Sequence, residues 1–357
     1  MKKLFALILA GALAAGTLTA CGSTAVVAVP QPEESAPPAG EPTQVSTPEN
    51  SGAAVKTGYY LGTDISGSKS AAAEEEGVAQ ANLELVAVTV TDEGVIDDCV
   101  IDAIQSKINF DTTGAITTDL TAPVLSKNEL GSNYGMVKAS SIGKEWNEQV
   151  QALADYVEGK TLEEIRGIAV TEEGKAGEAD LAASVTISIA GYLDAIEQAT
   201  ANATHLGARQ GDTLVLTTST DIAGSKDAGP EGDGTAQTYA TVAAITLNGD
   251  VITSCIIDAV QADVNFDTAG AVTTDLTTPV LSKNQLGDDY GMKKASSIGK
   301  EWYEQAAAFS AYVVGKTPEE VSGIAINEKG GAADADLAAS VTVSIGEFQA
   351  LVAKAGA

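Results

Sequence analysis

The fold is decided by the stretch Val86-Ala-Val-Thr-Val90-Thr-Asp-Glu-Gly94-Val-Ile-Asp-Asp-Cys99-Val-Ile-Asp-Ala-Ile104. Its first five residues alternate apolar and polar side chains, which is typical of a strand with one buried face. The segment 92–94 then supplies a turn, and 95–104 is apolar enough to be the partner strand. We therefore predict an antiparallel hairpin here.

The remaining elements of this part of the chain are predicted from turn signals, helical spacing and capping patterns. They are a second hairpin over 108–118, a helix over 144–157, a short helix opened by the capping box of Thr161 and Glu164, a strand-like run over 181–189 and a closing helix over 192–199. Strands that pair locally and are followed by helices predict an α+β domain.

The whole pattern occurs twice, because the chain contains an internal duplication. Between 109–149 and 265–305, 33 of 41 positions are identical, whereas the leading segments 70–94 and 227–250 match far less. We predict two tandem homologous α+β domains, each an antiparallel sheet with two or three helices. The first repeat spans 57–203, the linker 204–211 and the second repeat 212–357. Either functional retention or unequal drift explains the better-preserved middle.

The N-terminus carries an export signal. Two lysines follow Met1, an apolar stretch follows them, and the stretch ends in Leu18-Thr-Ala-Cys21, which resembles the lipobox of bacterial lipoproteins. This resemblance implies a signal peptide over 1–20 and a lipid on Cys21 that attaches the protein to the extracytoplasmic face of the cell membrane. The alternative is an ordinary cleaved signal peptide. Residues 21–56 are rich in Pro, Glu and Ser, and this composition predicts a disordered tether.

Composition excludes several classes of function. A formal net charge of −29 repels phosphates, so nucleic-acid binding is excluded. The same charge repels anionic lipids, so membrane attachment depends on Cys21. One histidine, His205, and two cysteines beyond the anchor argue against zinc, haem and iron–sulfur sites and against Ser-His-Asp chemistry. We expect Cys99 and Cys255 to be small buried apolar residues.

Each repeat ends in a recognisable motif. Asp180-Leu-Ala-Ala-Ser-Val-Thr186-Ile-Ser188 and its copy around Thr342 resemble the Asp-x-x-Ser-Gly-Ala-Thr-x-Thr/Ser stretch of the FMN-binding domain family. That family includes flavin-carrying subunits of the sodium-pumping quinone reductase and of the Rnf complex, and flavin lipoproteins of Gram-positive cells. The resemblance implies that Thr186 and Thr342 each carry FMN through a phosphoester bond made by a flavin transferase.

The motif departs from the family pattern at two positions. Ser184 stands in place of the family glycine and Val185 in place of the alanine, which adds bulk where the backbone is expected to approach the flavin or the transferase. Two alternatives therefore stay open. Flavin binds without a covalent bond, or the segment around Thr186 is a strand with its threonine facing water and the domain holds no flavin.

The most repeat-invariant loop runs from Lys127 to Lys144, with a copy from Lys283 to Lys300. Its serines lead into the predicted helix N-terminus, where free N–H groups favour an anion. We predict that Lys144 and Lys300 help to bind an FMN phosphate or a carboxylate there, and that Tyr134, Met136 and Trp146 line the flavin ring. Alternatively, the serines cap the helix and Trp146 belongs to the core.

Two hypotheses of function follow. In the first, the protein is a lipid-anchored FMN carrier that relays electrons to a redox partner at the cell surface. In the second, it is a non-enzymatic binding or scaffolding lipoprotein that recognises a small anionic ligand or a partner through the two invariant loops. A hydrolytic enzyme is disfavoured, because no nucleophile–base pair stands out in the sequence.

Overall fold

The computed structural model describes residues 51–357. The predicted signal peptide, Cys21 and most of the predicted tether lie outside the described residues. The elements of the first repeat are the strands β1 (Lys56–Asp64), β2 (Gly77–Val90) and β3 (Ile96–Phe110) and the helices α1 (Lys127–Leu130), α2 (Trp146–Val157), α3 (Leu162–Arg166), α4 (Ala179–Ala182) and α5 (Ala190–Ala201). Two short 3-10 turns, Gly131–Tyr134 and Met136–Lys138, lie between α1 and α2.

The second repeat has the same elements in the same order. They are β4 (Thr213–Asp221), β5 (Gly234–Asn248), β6 (Val251–Phe266), α6 (Lys283–Leu286), α7 (Trp302–Val313), α8 (Pro318–Ser322), α9 (Ala335–Ala338) and α10 (Gly346–Lys354), with 3-10 turns at Gly287–Tyr290 and Met292–Lys294. The predicted α+β class with two homologous repeats is therefore confirmed.

Each repeat contains one three-stranded antiparallel sheet with its second strand in the centre. The predicted hairpin is the pairing of β2 with β3, in which Val86 lies opposite Ile101. Val86, Ala87 and Val88 are all fully buried, so the prediction of a strand with one solvent-exposed face is wrong. The reason is that β2 is covered on both faces.

The two sheets pack face to face and share one apolar layer. Alternate residues of β2, such as Leu83 and Leu85, join residues of the second sheet, such as Val242 and Ala244, in one buried cluster. The opposite face of each sheet packs against the helices of its own repeat. The order of layers is thus helices, sheet, sheet, helices. At the shared layer the rings of Phe110 and Phe266 stack with centroids 4.1 Å apart.

Polar contacts related by the duplication surround this layer. The backbone N–H of Ala71 donates to the Gly270 carbonyl, and the equivalent N–H of Ala228 donates to the Gly114 carbonyl. Gly114 and Gly270 have φ values of 72° and 69°, and a Cβ on either would lie within 3 Å of the other repeat. Glycine is therefore required at these two turns for both conformation and close approach.

Two predicted elements differ from the structure. The segment 181–189 is not a strand, because Leu181 lies in α4 and the carbonyl of Leu181 accepts hydrogen bonds from the N–H groups of Ser184 and Val185. The second hairpin is reduced to a turn with an isolated bridge between Phe110 and Ile116.

The boundary between tether and domain also differs from the prediction. The tether was expected to extend to residue 56, but Val55 is fully buried and donates to the carbonyl of Ala208. Thr57 and Thr204 exchange a pair of backbone hydrogen bonds. The linker between the repeats therefore pairs with the edge of β1, which orders the chain just before the first repeat.

Local signals in the sequence predicted several features well. The predicted apolar face of α2 is buried, including Trp146, Val150 and Leu153. Thr161 and Glu164 form the predicted capping box. Cys99 and Cys255 are buried free thiols, as expected, and burial raises the pKa of both.

Removing the Phe110 ring tests the shared layer. Because Phe110 is fully buried and stacked on the other repeat, Phe110→Ala should lower the free energy of unfolding by about 3–5 kcal/mol. Leu125→Ala, at a position that is 41% exposed, is the control and should change it by less than about 0.5 kcal/mol. Urea unfolding measures both. A loss under about 1 kcal/mol for Phe110→Ala would contradict a packed interface between the sheets.

Candidate functional site

Thr186, the predicted flavin-bearing residue, is tied to helix α2 by a buried glutamine. The Gln149 Oε1 accepts hydrogen bonds from the Thr186 backbone N–H at 2.8 Å and from its hydroxyl at 3.1 Å, and also from the Ile187 N–H. Gln149 is fully buried, and its Nε2 donates to Ser140 Oγ and to the Lys144 carbonyl. The glutamine thus joins Thr186 to the end of the invariant loop.

The second repeat reproduces this arrangement with Gln305 and Thr342. The Gln305 Oε1 accepts from the Thr342 N–H at 2.8 Å and from its hydroxyl at 3.1 Å, and its Nε2 donates to Ser296 Oγ and to the Lys300 carbonyl. Thr186 is half-buried, whereas Thr342 is exposed. The structure therefore brings the predicted residues of each repeat close together, but the threonine hydroxyls are already engaged in hydrogen bonds.

The N-terminus of α2 is occupied by carboxylates of the chain itself. Glu145 is the N-cap residue, and the Glu148 carboxylate accepts from its N–H at 2.7 Å. The Glu145 carboxylate accepts from the N–H groups of Met136 and Val137. An anion at this helix end would meet two negative charges, so the predicted anion site beside Lys144, and its copy beside Lys300, does not fit. The serines do not cap the helix either.

The start of the invariant loop is held on the edge strand of each sheet. The buried Asp102 on β3 accepts from the N–H of Asn128 at 3.1 Å and of Ala103 at 2.7 Å, while the Asn128 side chain donates to the Ile101 carbonyl. Asp258 and Asn284 make the same contacts in the second repeat. This docking gives a structural reason why Asn128 and Asn284 occupy the same position in the two loops.

Lys127, which immediately follows the N-cap of α1, lies in an aromatic cage. Its Nζ is 4.9 Å from the centroid of Tyr134 and 4.8 Å from that of Trp146, both distances within the range of cation–π attraction. The Trp146 ring in turn packs edge-on against the Tyr192 ring, with centroids 6.2 Å apart. Tyr134 and Trp146, expected to face a flavin, instead hold a lysine.

An open cavity of about 510 Å³ borders this cage in the first repeat, and we call it the Lys127 cavity. Its polar lining comes from β1, β2, β3, α1 and α5, namely from Tyr60, Thr63, Asp64, Asn82, Glu84, Gln105, Lys127 and Tyr192. The Asn82 Oδ1 accepts from Gln80 and Gln105, so its side chain is fixed. Burial raises the pKa of Glu84, and the nearby Lys127 charge opposes this shift.

The second repeat fills the corresponding space. Tyr239 stands where the first repeat has Asn82, and its hydroxyl accepts a hydrogen bond from Lys283 Nζ at 2.8 Å. Lys283 lies against three rings and is only 7% exposed. Burial lowers its pKa to about 8, although the charges of Glu347 and Asp258 oppose this shift. The exchange of Asn82 for Tyr239 is thus one of the differences between the open cavity of the first repeat and the enclosed lysine of the second.

Sequence reasoning missed the residues that distinguish the repeats. Asn82 and Glu84 lie in the poorly matching leading segment, whereas the predicted site lies in the invariant loop. Aligning the two leading segments gives Asn82 against Tyr239 and Glu84 against Thr241, which is the signal that was available. What the alignment could not supply is the position of both residues beside Lys127.

Comparisons with known proteins give no relative: no family model, curated protein or solved structure matches the chain. Within residues 51–357, no helix has the length and apolarity needed to cross a membrane. In the same range, no group of three or more His, Cys, Asp or Glu residues is arranged to hold a metal ion. The resemblance to the FMN-binding domain family therefore depends on sequence patterns alone, namely on the motif around Thr186 and Thr342 and on the start of the repeat at Gly58-Tyr-Tyr-Leu-Gly62.

The buried carboxyls Asp102 and Asp258 make stability depend on pH. Burial raises the pKa of each from 3.8 to about 6, so between these pH values the folded chain binds protons that the unfolded chain does not. Their stabilising contribution is therefore greatest in acid and is lost as the pH rises through about 6. From pH 7.5 to pH 5, the wild type should gain about 1–1.5 kcal/mol per site over the Asp102→Asn, Asp258→Asn double variant.

Denaturant unfolding of both proteins at several pH values between 5 and 7.5 measures this difference. Asn keeps an oxygen that can accept the two backbone N–H groups, so the variant isolates the titration from the docking of the loop. Parallel pH profiles for the wild type and the double variant would contradict the raised pKa of these carboxyls.

Proposed function

We propose that this protein is a lipid-anchored binding protein of the extracytoplasmic membrane face, and that it holds a small ligand with an anionic group in the Lys127 cavity. The observation that carries the proposal is that the repeats diverge at this place. Both repeats keep the loop, the lysine and the cage, but the first keeps open space beside the lysine while the second fills it with Tyr239. Folding of the repeat therefore does not require the space to be open.

The chemistry of the residues that line the Lys127 cavity supports a binding role. The Lys127 ammonium is fixed by the faces of two rings, which consume none of its N–H donors, so these donors remain for ligand oxygens. Fixed polar groups such as Asn82 surround it, and the volume is in the range of small-molecule sites. The anchor on Cys21, expected from the lipobox, belongs to this proposal and would keep the binding site at the membrane.

Removing the charge of Lys127 tests the proposal. The mature protein is titrated calorimetrically with small organic carboxylates, phosphates and amino acids. For those that bind, Lys127→Met should weaken binding at least ten-fold, or about 1.4 kcal/mol, because the variant keeps the apolar stem but loses the cation. Asn82→Tyr, which introduces the side chain of the second repeat, should abolish binding.

Lys283→Met is the matched control. Because Lys283 is enclosed by Tyr239, this variant should leave binding unchanged. Circular dichroism checks that each variant is folded. Equal effects of Lys127→Met and Lys283→Met, or undiminished binding by a folded Asn82→Tyr variant, would refute the assignment of the cavity.

The second candidate is the FMN carrier, and one observation favours it. The motif threonine occupies the same glutamine-anchored place in both repeats, and Thr342 is exposed there, within reach of an enzyme that forms a phosphoester. The fit is only partial. Thr186 is half-buried, and neither threonine belongs to the lining of the Lys127 cavity, so a ring attached to them would lie elsewhere. A bound FMN would supply one- and two-electron redox chemistry.

Mass spectrometry distinguishes the flavin carrier from a protein without covalent flavin. If the second candidate is correct, mature protein produced together with a flavin transferase should be yellow after denaturation and should carry FMN mapped to Thr342 and Thr186. Thr186→Val and Thr342→Val should each remove one flavin. A colourless protein without added mass would eliminate covalent attachment and would leave the binding proposal intact.

A further inference from the structure

We infer that the ligand of the Lys127 cavity is a zwitterion of amino-acid size, with its anionic group on Lys127 and its ammonium group on Glu84. This inference rests on the proposed binding function and specifies its ligand class. Two observations support it. Opposite charges line the same cavity, and the position of the carboxylate near the lysine changes between the repeats together with a neighbouring glycine.

The first step concerns the balance of charge in the cavity. Lys127 supplies one positive charge from α1, while Glu84 and Asp64 supply carboxylates from the strands that line the same cavity. A hydrogen bond from Ser66 lowers the pKa of Asp64, which keeps it negative. A simple anion would be attracted by Lys127 but repelled by both carboxylates. A ligand with one group of each sign satisfies both ends of the wall.

The second step concerns the partners of Lys127 and Glu84 within the protein. Among the close ion pairs of the described residues, none joins these two side chains. The counterpart Lys283 donates to the hydroxyl of Tyr239, a partner that the first repeat lacks because it has Asn82. Lys127 and Glu84 therefore face the same open space without neutralising each other through direct contact.

The third step is the correlated exchange. The Glu84 carboxylate lies against Gly191 at the start of α5, where a Cβ would be 3.0 Å from Oε1 and 3.1 Å from Oε2. In the second repeat the position of Glu84 is Thr241 and that of Gly191 is Glu347. Each repeat thus keeps one carboxylate near its lysine. Only in the first repeat does this carboxylate, Glu84, project from a strand and line an open cavity. Gly191 leaves room for the carboxylate there.

Matched sets of ligands test the inference. For each L-amino acid, the corresponding carboxylic acid without the amine and the corresponding amine without the carboxylate are titrated into the mature protein. Recognition of both charges predicts that at least one amino acid binds ten-fold or more tightly than either of its partners. Glu84→Gln keeps the shape of the side chain but removes its charge. This variant should reduce the ratio of affinities between the amino acid and its amine-free acid at least ten-fold.

Glu347→Gln is the matched control, because it removes the equivalent carboxylate from the closed site. It should leave the affinity and the selectivity of the first repeat unchanged. Thermal unfolding of each variant reports folding separately. If Glu84 only balances the charge of Lys127, then Glu84→Gln changes stability without changing the preference for amino acids, and the inference is overturned.

The remaining outcomes separate the inference from the function on which it depends. If the acids without an amine bind as tightly as the amino acids, Glu84 does not recognise ammonium. The inference then fails while the binding function stands. If no member of any set binds at about 10 mM, a concentration at which even weak specific sites are occupied, the inference fails. The binding function fails with it if the other carboxylates and the phosphates also do not bind at that concentration.

Discussion

The apolar layer between the two sheets is the constraint on which the rest of the structure depends. A three-stranded sheet that is covered by helices on one face leaves its other face to be buried, and each repeat buries that face against its duplicate. The stacked rings of Phe110 and Phe266 and the paired glycine turns mark how closely the repeats approach. The two repeats therefore pack together within one compact unit.

Duplication also explains how a loop with a structural role in both repeats can line a candidate binding site in one of them. The buried carboxyls Asp102 and Asp258 hold the same loop on the edge strand of each sheet, and the loop presents a lysine to an aromatic cage. Because each loop is held by its own aspartate and asparagine, the neighbouring positions 82 and 239 can differ between the repeats while both keep the same fold. The lysine is enclosed in the repeat that has Tyr239, and it borders open space in the repeat that has Asn82.

Much of the fold could be predicted, because it follows from local chemistry. The hairpin, the buried face of α2 and the capping boxes depend on residues that are close in sequence. The segment around Thr186 was predicted less well, because its apolar residues suggested a strand while its backbone is fixed by a distant glutamine, Gln149. The anion site at the N-terminus of α2 failed for a similar reason: Glu145 folds back onto the loop, which no local pattern indicated.

The sequence by itself determined the α+β class, the duplication, the acidic character of the chain and the expectation of export with a lipid anchor on Cys21, since each of these follows from composition or from neighbouring residues. Only the tertiary structure decided how the repeats face each other, that the invariant loop serves to dock on the sheet, and that Lys127 and Glu84 share one cavity. The physical reason is that these features depend on side chains from separate strands and helices, whose distances are set by packing and not by their spacing along the chain.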